Sequence, residues 1–171
     1  MVNALAAIAM TEARAWAALD QVLDPEVPVL SVVELGIVRD VAVHGGSVHV
    51  TVTPTYSGCP ATEAIRDAII CALQREGADE VTVSMQLAPA WTTDWIAPEA
   101  AQKLRRYGIA PPHAAGNASQ VQTVRFHPRD LNCPRCESRR TEQLSAFGST
   151  ACKALYRCLA CGEPFEYFKP I

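Results

Sequence analysis

The chain has 171 residues, a formal net charge of −3, 49% hydrophobic residues and 19% charged ones, which suits one compact domain with a small appendage and excludes a disordered chain. No apolar run approaches the roughly 18 residues of a membrane span, and the opening MVNALAAIAM lacks the basic start of a leader peptide, so the expected location is the cytoplasm. Residues 1–120 hold 7 Lys/Arg against 13 Asp/Glu and residues 121–171 hold 8 against 5, so an acidic body carries a basic tail, and the two parts are expected to differ in their partners.

Ala15, Trp16, Leu19 and Val22 recur at helical spacing in 11–22, which predicts an amphipathic helix; DPEVP stops it at Pro25. ELGI and a run to Val43 lead into the turn signal HGGS. Val48, Val50 and Val52 then alternate with His49, Thr51 and Thr53, the pattern of a β-hairpin with one buried face. A helix is predicted at about 60–76, with Ala61, Ile65, Ala68, Ile69, Ala72 and Leu73 on one apolar face and Gly77 as its stop. Cys71, in mid-helix, is expected to pack. Val81, Val83, Met85 and Leu87 alternate as a third strand. The loop APAWTTDWIAP holds Trp91, Asp94 and Trp95; core anchoring is the expected role of the tryptophans, and a partner surface the sharper alternative. Pro98 opens a short helix that Gly108 closes.

APPHAAGNAS has linker composition. The expected organisation is an α/β domain at 1–109, a linker at 110–119 and a small β unit at 120–171. The fold class is a small α/β domain, a short mixed sheet packed by helices, followed by a β zinc ribbon. Strands are expected in VQTVRF and around 139–146, 153–157 and 165–168.

Seven cysteines cannot all pair, and with no export signal they read as reduced thiols, metal ligands or a reactive thiol. Cys133-Pro-Arg-Cys136 and Cys158-Leu-Ala-Cys161 are two C-x-x-C knuckles, each able to present two thiolates to one tetrahedral ion, and Gly162 supplies the second turn. A redox dithiol belongs at a helix start and an iron–sulfur cluster also takes four cysteines; structural zinc, one per chain, fits a tiny β unit best. Four thiolates on Zn²⁺ carry −2, which nearly cancels the charge of the tail. Nucleic acid is therefore not an expected partner, and Arg139 and Arg140 read as a solvated face. Cys152 lies outside both knuckles and reads as a hairpin residue.

Cys59 stands apart. It lies between Gly58 and Pro60, after a strand and before a helix, at or beside the N-cap, where free N–H groups and the helix dipole favour a thiolate. Thr55, Tyr56 and Ser57 place hydroxyls in the same loop. No His–Asp/Asn partner is identifiable, so acyl-transfer chemistry is not expected. Asp24 and Glu26, alone, are ordinary turn carboxylates.

LDPEVPVLSVVELGIVRDV, TPTYSGCPATEAI and the strand leading to AWTTDWI resemble the small α/β domain of cytosolic iron–sulfur assembly factors of the MIP-eighteen type and bacterial SufT-like proteins. With the ribbon CPRC…YRCLACGEPFEYFKPI, the chain looks like one branch of that family, the D components of multicomponent phenylacetyl-CoA ring-1,2-epoxidases of phenylacetate degradation. The resemblance implies a functional thiol at Cys59, with Asp24, Glu26 and Thr55 in the same site, and a transient iron or iron–sulfur cluster there. It implies a non-catalytic accessory role in assembling a metal centre of the oxygenase or its reductase, with the oxygenase and reductase subunits and iron–sulfur donor proteins as partners and no membrane or nucleic acid. A structural adaptor, with Cys59 merely packed, and a thiol oxidoreductase using Cys59 are the rival readings.

Overall fold

The computed structural model describes residues 9–56, 58–112 and 131–171. They form two compact units, Met1–Trp91 and Thr92–Ile171.

In the first unit, α1 spans Glu12–Leu19, with Thr11 as its N-cap accepting from the Arg14 N–H. The predicted helix to residue 22 ends early, although Val22 remains buried. β1 (Val38–His44) and β2 (Ser47–Val52) pair antiparallel across the Gly45–Gly46 turn. Gly45 sits at φ 63°, a conformation glycine adopts without a Cβ penalty. α2 (Thr62–Arg75) crosses over to β3 (Glu80–Met85), which pairs parallel to β2 and completes a sheet of order β1-β2-β3. α2 packs against β3 and α1, and α1 reaches β1. The predicted alternation holds from Val48 to Val52, with Val48, Val50 and Val52 buried and His49 exposed, and breaks at Thr53, which is buried. Leu19, Leu30, Val32, Leu35, Ile69 and Leu73 complete this core. Trp91 is buried and its Nε1–H donates to the Leu35 carbonyl at 2.9 Å, the anchoring role expected of it.

Cys71 departs from expectation. It is exposed on α2 and its Sγ accepts from Arg75 Nη2 at 3.1 Å. The face of α2 that packs is carried by Ile65, Ile69 and Leu73, and residue 71 points off it.

The second unit begins with a single 3-10 turn at Thr93–Trp95 and α3 (Ala100–Tyr107), which ends at Gly108 in a left-handed conformation. Next come β4 (Ile109–Ala110), β5 (Thr141–Ser145), β6 (Lys153–Cys158) and β7 (Pro164–Phe168), in a sheet of order β4-β7-β6-β5. Residues 92–109, assigned from sequence to the first domain, group here instead. The reason is β4: two residues too short to show alternation pair parallel to β7 at Glu166 and Tyr167. The strand expected in VQTVRF, and the linker beyond residue 112, lie outside the described residues.

A four-thiol centre and the Cys59 loop

Two tight turns build the first site, and they are near copies of each other. In the first knuckle the Cys133 N–H donates to the Ser138 carbonyl and the Glu137 N–H to the Cys133 carbonyl, with Glu137 at φ 60°. In the second the Cys158 N–H donates to the Glu163 carbonyl and the Gly162 N–H to the Cys158 carbonyl, with Gly162 at φ 79°. Each closes over one buried cysteine, Cys133 or Cys158, and one exposed cysteine, Cys136 or Cys161.

The four sulfurs lie within 4.8 Å of one another, with Cys133 Sγ to Cys161 Sγ at 3.8 Å and Cys136 Sγ to Cys158 Sγ at 3.5 Å. A tetrahedron with Zn–S bonds of about 2.3 Å has edges of about 3.8 Å, so the donor set fits a four-coordinate thiophilic ion. The thiols do not ionise evenly by themselves. The Ser138 N–H favours the Cys136 thiolate, but the hydrogen bonds its thiol donates to Cys158, Cys161 and Cys133, together with desolvation, outweigh it and Cys136 is pushed up to about 12. Backbone N–H groups of Cys161 and Ala160 hold Cys158 down at about 6. A cluster that resists full ionisation is the kind a divalent cation completes.

The core behind this centre is small: Ala110, Leu131, Ala154, Tyr156, Phe165 and Tyr167 surround the two buried ligands. Tyr156 stacks on Phe165 at 5.9 Å and meets Tyr167 edge-on at 5.8 Å. Arg135 pairs with Glu163 across the knuckles, a solvent-exposed bridge that contributes little to stability.

The second candidate site is the loop after β2. The Thr53 N–H extends the hairpin ladder to the Ile37 carbonyl, and the chain then turns through Tyr56, whose carbonyl accepts from the Cys59 N–H. α2 starts at Thr62 with Ala61 as N-cap, so Cys59 lies two residues ahead of the cap, not on it, and Pro60 lies in the turn. The Cys59 backbone does the capping: its carbonyl accepts from both the Thr62 N–H and Thr62 Oγ1–H. Cys59 and Thr55 are half-buried. One group was missed in the sequence. Thr53 is 1% exposed, and its Oγ1 has no hydrogen-bond partner among the described residues. Its place at the head of TPTYSGCP was the available signal, but strand alternation made it look like an outward-facing threonine.

The DPE turn has a structural role of its own. Asp24 is buried, and its Oδ1 accepts from the Glu26 and Val27 N–H groups at 2.8 Å each. Ser31 and Glu34 then cap each other reciprocally, Ser31 N–H to Glu34 Oε2 and Glu34 N–H to Ser31 Oγ. Among the described residues the four-cysteine set is the one group of three or more side chains arranged to ligate a metal; Cys59, Asp24 and Glu26 do not form a second. We expect Asp24→Ala to cost about 1–2 kcal/mol in a denaturant titration, because the buried Val27 N–H and the part-buried Glu26 N–H lose their acceptor.

Two family models match separate stretches of the chain. The iron-sulfur cluster assembly protein family matches residues 12–85, the span holding both the DPE turn and the Cys59 loop. The PaaD zinc beta ribbon domain matches residues 117–169. A solved Bacillus anthracis structure described as a domain of unknown function, DUF59, superposes with a TM-score of 0.50 at 30% identity, covering 54% of this chain and 90% of that one. A Bacillus subtilis protein named as the Fe-S protein maturation auxiliary factor YitW is 39% identical over 79 residues, 45% of this chain and 76% of its own. These define the class: an iron–sulfur-assembly-type α/β domain joined to a metal-binding β ribbon. A relative spanning both halves is 52% identical over 156 residues, 91% of each chain: the Escherichia coli (strain K12) protein described provisionally as the D component of 1,2-phenylacetyl-CoA epoxidase. The chain belongs to that family of epoxidase D components.

Proposed function

We propose that this protein is an accessory maturation factor of a multicomponent phenylacetyl-CoA epoxidase. It acts in aerobic phenylacetate breakdown, in the cytoplasm, without catalysing the epoxidation. The carrying observation is that one chain joins an iron–sulfur-assembly domain, matched over 12–85, to a likeness with the epoxidase D component over 91% of its length. No helix among the described residues is long and apolar enough to cross a membrane, in keeping with a partner of other proteins in solution.

In this reading Cys59 is the functional thiol, and Asp24, Glu26 and Thr55 belong to its site. It handles iron or an iron–sulfur cluster in transit to the oxygenase or its reductase, with iron–sulfur donor proteins upstream. The match of residues 12–85 to the iron-sulfur cluster assembly family is what supports assigning the site to a cargo metal. The ribbon holds one resident zinc on Cys133, Cys136, Cys158 and Cys161. A closed four-thiolate shell leaves no open position, so the zinc supplies structure and not chemistry.

The test is reconstitution of the iron–sulfur centre of the reductase with and without this protein, in a Cys71→Ser background that removes the exposed thiol. We expect wild type to speed cluster incorporation and Cys59→Ala to abolish the gain while changing stability by less than about 0.5 kcal/mol, since the side chain caps nothing. Asp24→Asn keeps an oxygen acceptor for the turn and separates the two roles of this residue: an unchanged melting curve with lost cluster transfer supports the reading. Equal reconstitution by wild type and Cys59→Ala defeats it and leaves a structural adaptor.

A further inference from the structure

Within the second unit, three clefts adjoin one another and share Arg105. The first, of about 340 Å³, lies between Arg105 of α3 and Arg139 of the ribbon, with Pro111, Pro112 and Asn132 along its walls. The second, of about 180 Å³, adds Arg106 and reaches the first knuckle at Cys133 and Pro134. The third, of about 440 Å³, runs from Arg105 and Arg106 past Gly108 to Pro164.

The charge in this trough is unbalanced. Glu163 of the third cleft is taken by Arg135. Glu137, in the second cleft, is the remaining carboxylate lining any of the three. Arg105, Arg106 and Arg139 have no ion pair or side-chain hydrogen bond among the described residues. The helix dipole accounts for cations in the last turn of α3; it does not account for Arg139, which comes from the other side of the first cleft. Arg105 lines the first cleft with Arg139 and the other two with Arg106, all three side chains are exposed, and the fork of each fits a carboxylate.

We propose that this trough docks an acidic, extended polypeptide segment of a partner protein, carboxylates on the arginines and apolar side chains on the proline rings. Two features favour a peptide over a compact anion or a nucleic acid. The trough is long and jointed, so its positive charge is spread along it; a single phosphate would use one joint. The whole chain is net −3, which opposes a polyanionic backbone but not a local acidic segment. Residues 92–171 hold 11 Lys/Arg against 7 Asp/Glu, which with the −2 of a four-thiolate zinc leaves this unit about +2 while the first unit is acidic, so the attraction is local to the arginines of the trough. The first knuckle forms one wall of the trough, and the ribbon thereby becomes a docking module in its own right, independent of any role for Cys59.

The experiment is fluorescence polarisation of a fluorescein-labelled glutamate-rich peptide titrated with the full-length, metal-loaded protein. We expect saturable binding that weakens as salt is added. Arg105→Glu and Arg139→Glu, both on exposed side chains, should each weaken it about tenfold or more at unchanged metal content and melting temperature. Arg66→Glu, on the exposed face of α2 in the first unit, should leave it unchanged. Absence of binding, indifference to the Arg105 and Arg139 variants, or full displacement of the peptide by an equal concentration of inorganic pyrophosphate would each overturn the proposal, the last by revealing a compact anion pocket.

Discussion

Stripping the ribbon of its metal, or replacing Cys133 by serine, is expected to unfold residues 131–171 within the full-length protein. The apolar core of this segment is a handful of side chains, and two of its buried members, Cys133 and Cys158, belong to the four-thiol cluster. A core of that size does not repay the backbone entropy of ordering three strands, whereas a structural zinc contributes about 10–16 kcal/mol in small domains. Without the ion, hydrogen bonding among the thiols pushes Cys136 up and holds Cys158 down, so the close thiols resist ionising together. Protons compete with the metal for the thiolates, so the ion should be released as pH falls and retained as it rises. Amide exchange checks this directly: β5, β6 and β7 should lose protection in Cys133→Ser or in strong chelator, while β1, β2 and β3 keep theirs. Elemental analysis should return one zinc per chain; iron, or a folded ribbon with no metal, would contradict the assignment.

Glu166→Gln is the second large effect. Lys153 Nζ lies 2.7 Å from Glu166 Oε2, and the lysine side chain is only 4% exposed. Glu166 Oε1 accepts from the Ser149 N–H at 2.8 Å, in space that the absent side chain of Gly148 leaves open. Losing the carboxylate charge takes the Glu166 ion pair away from a buried ammonium, a change expected to cost about 3 kcal/mol at neutral pH. Replacing both partners, Lys153→Met with Glu166→Leu, should cost much less, because no charge is left unpaired. Desolvation tends to raise the Glu166 carboxyl, but Lys153 and the Ser149 hydrogen bonds more than offset it and hold it below its ordinary value. A carboxylate lowered in the folded state stabilises fully above its unfolded value of about 4.3, and that contribution is lost as pH falls through the lower folded value. The stability gap between wild type and Glu166→Gln should therefore be constant from neutral pH down to about 5 and close under more acid conditions. Chemical denaturation of both proteins at a series of pH values measures it; a gap that widens with acid would refute the pairing.

The elements read well wherever a long periodic pattern met a clear stop. The valines of β2, the apolar face of α2 and the glycine after α3 all stand where their spacing put them. The metal centre was equally legible, because a C-x-x-C turn constrains its two sulfurs by local geometry alone. Asp24 was legible as a turn carboxylate, but not its burial, which depends on how Val27 and Leu30 pack around it.

What the sequence by itself determined was therefore local: helices, the hairpin, and two cysteine knuckles whose thiols lie three residues apart. What only the tertiary structure decided was pairing between distant segments. β4 is too short to show a period, and it becomes a strand only because β7 lies alongside to accept it, which carries residues 92–110 into the ribbon unit. Cys71 lies outward because the rotation of α2 is set by the sheet beneath it, and Cys59 falls short of the cap because its own carbonyl, not its sulfur, closes the first turn. Arg105 and Arg139 are separated by 34 residues in the chain and line one cleft. No spacing rule links them, since their shared cleft is made by folding and leaves no period to read.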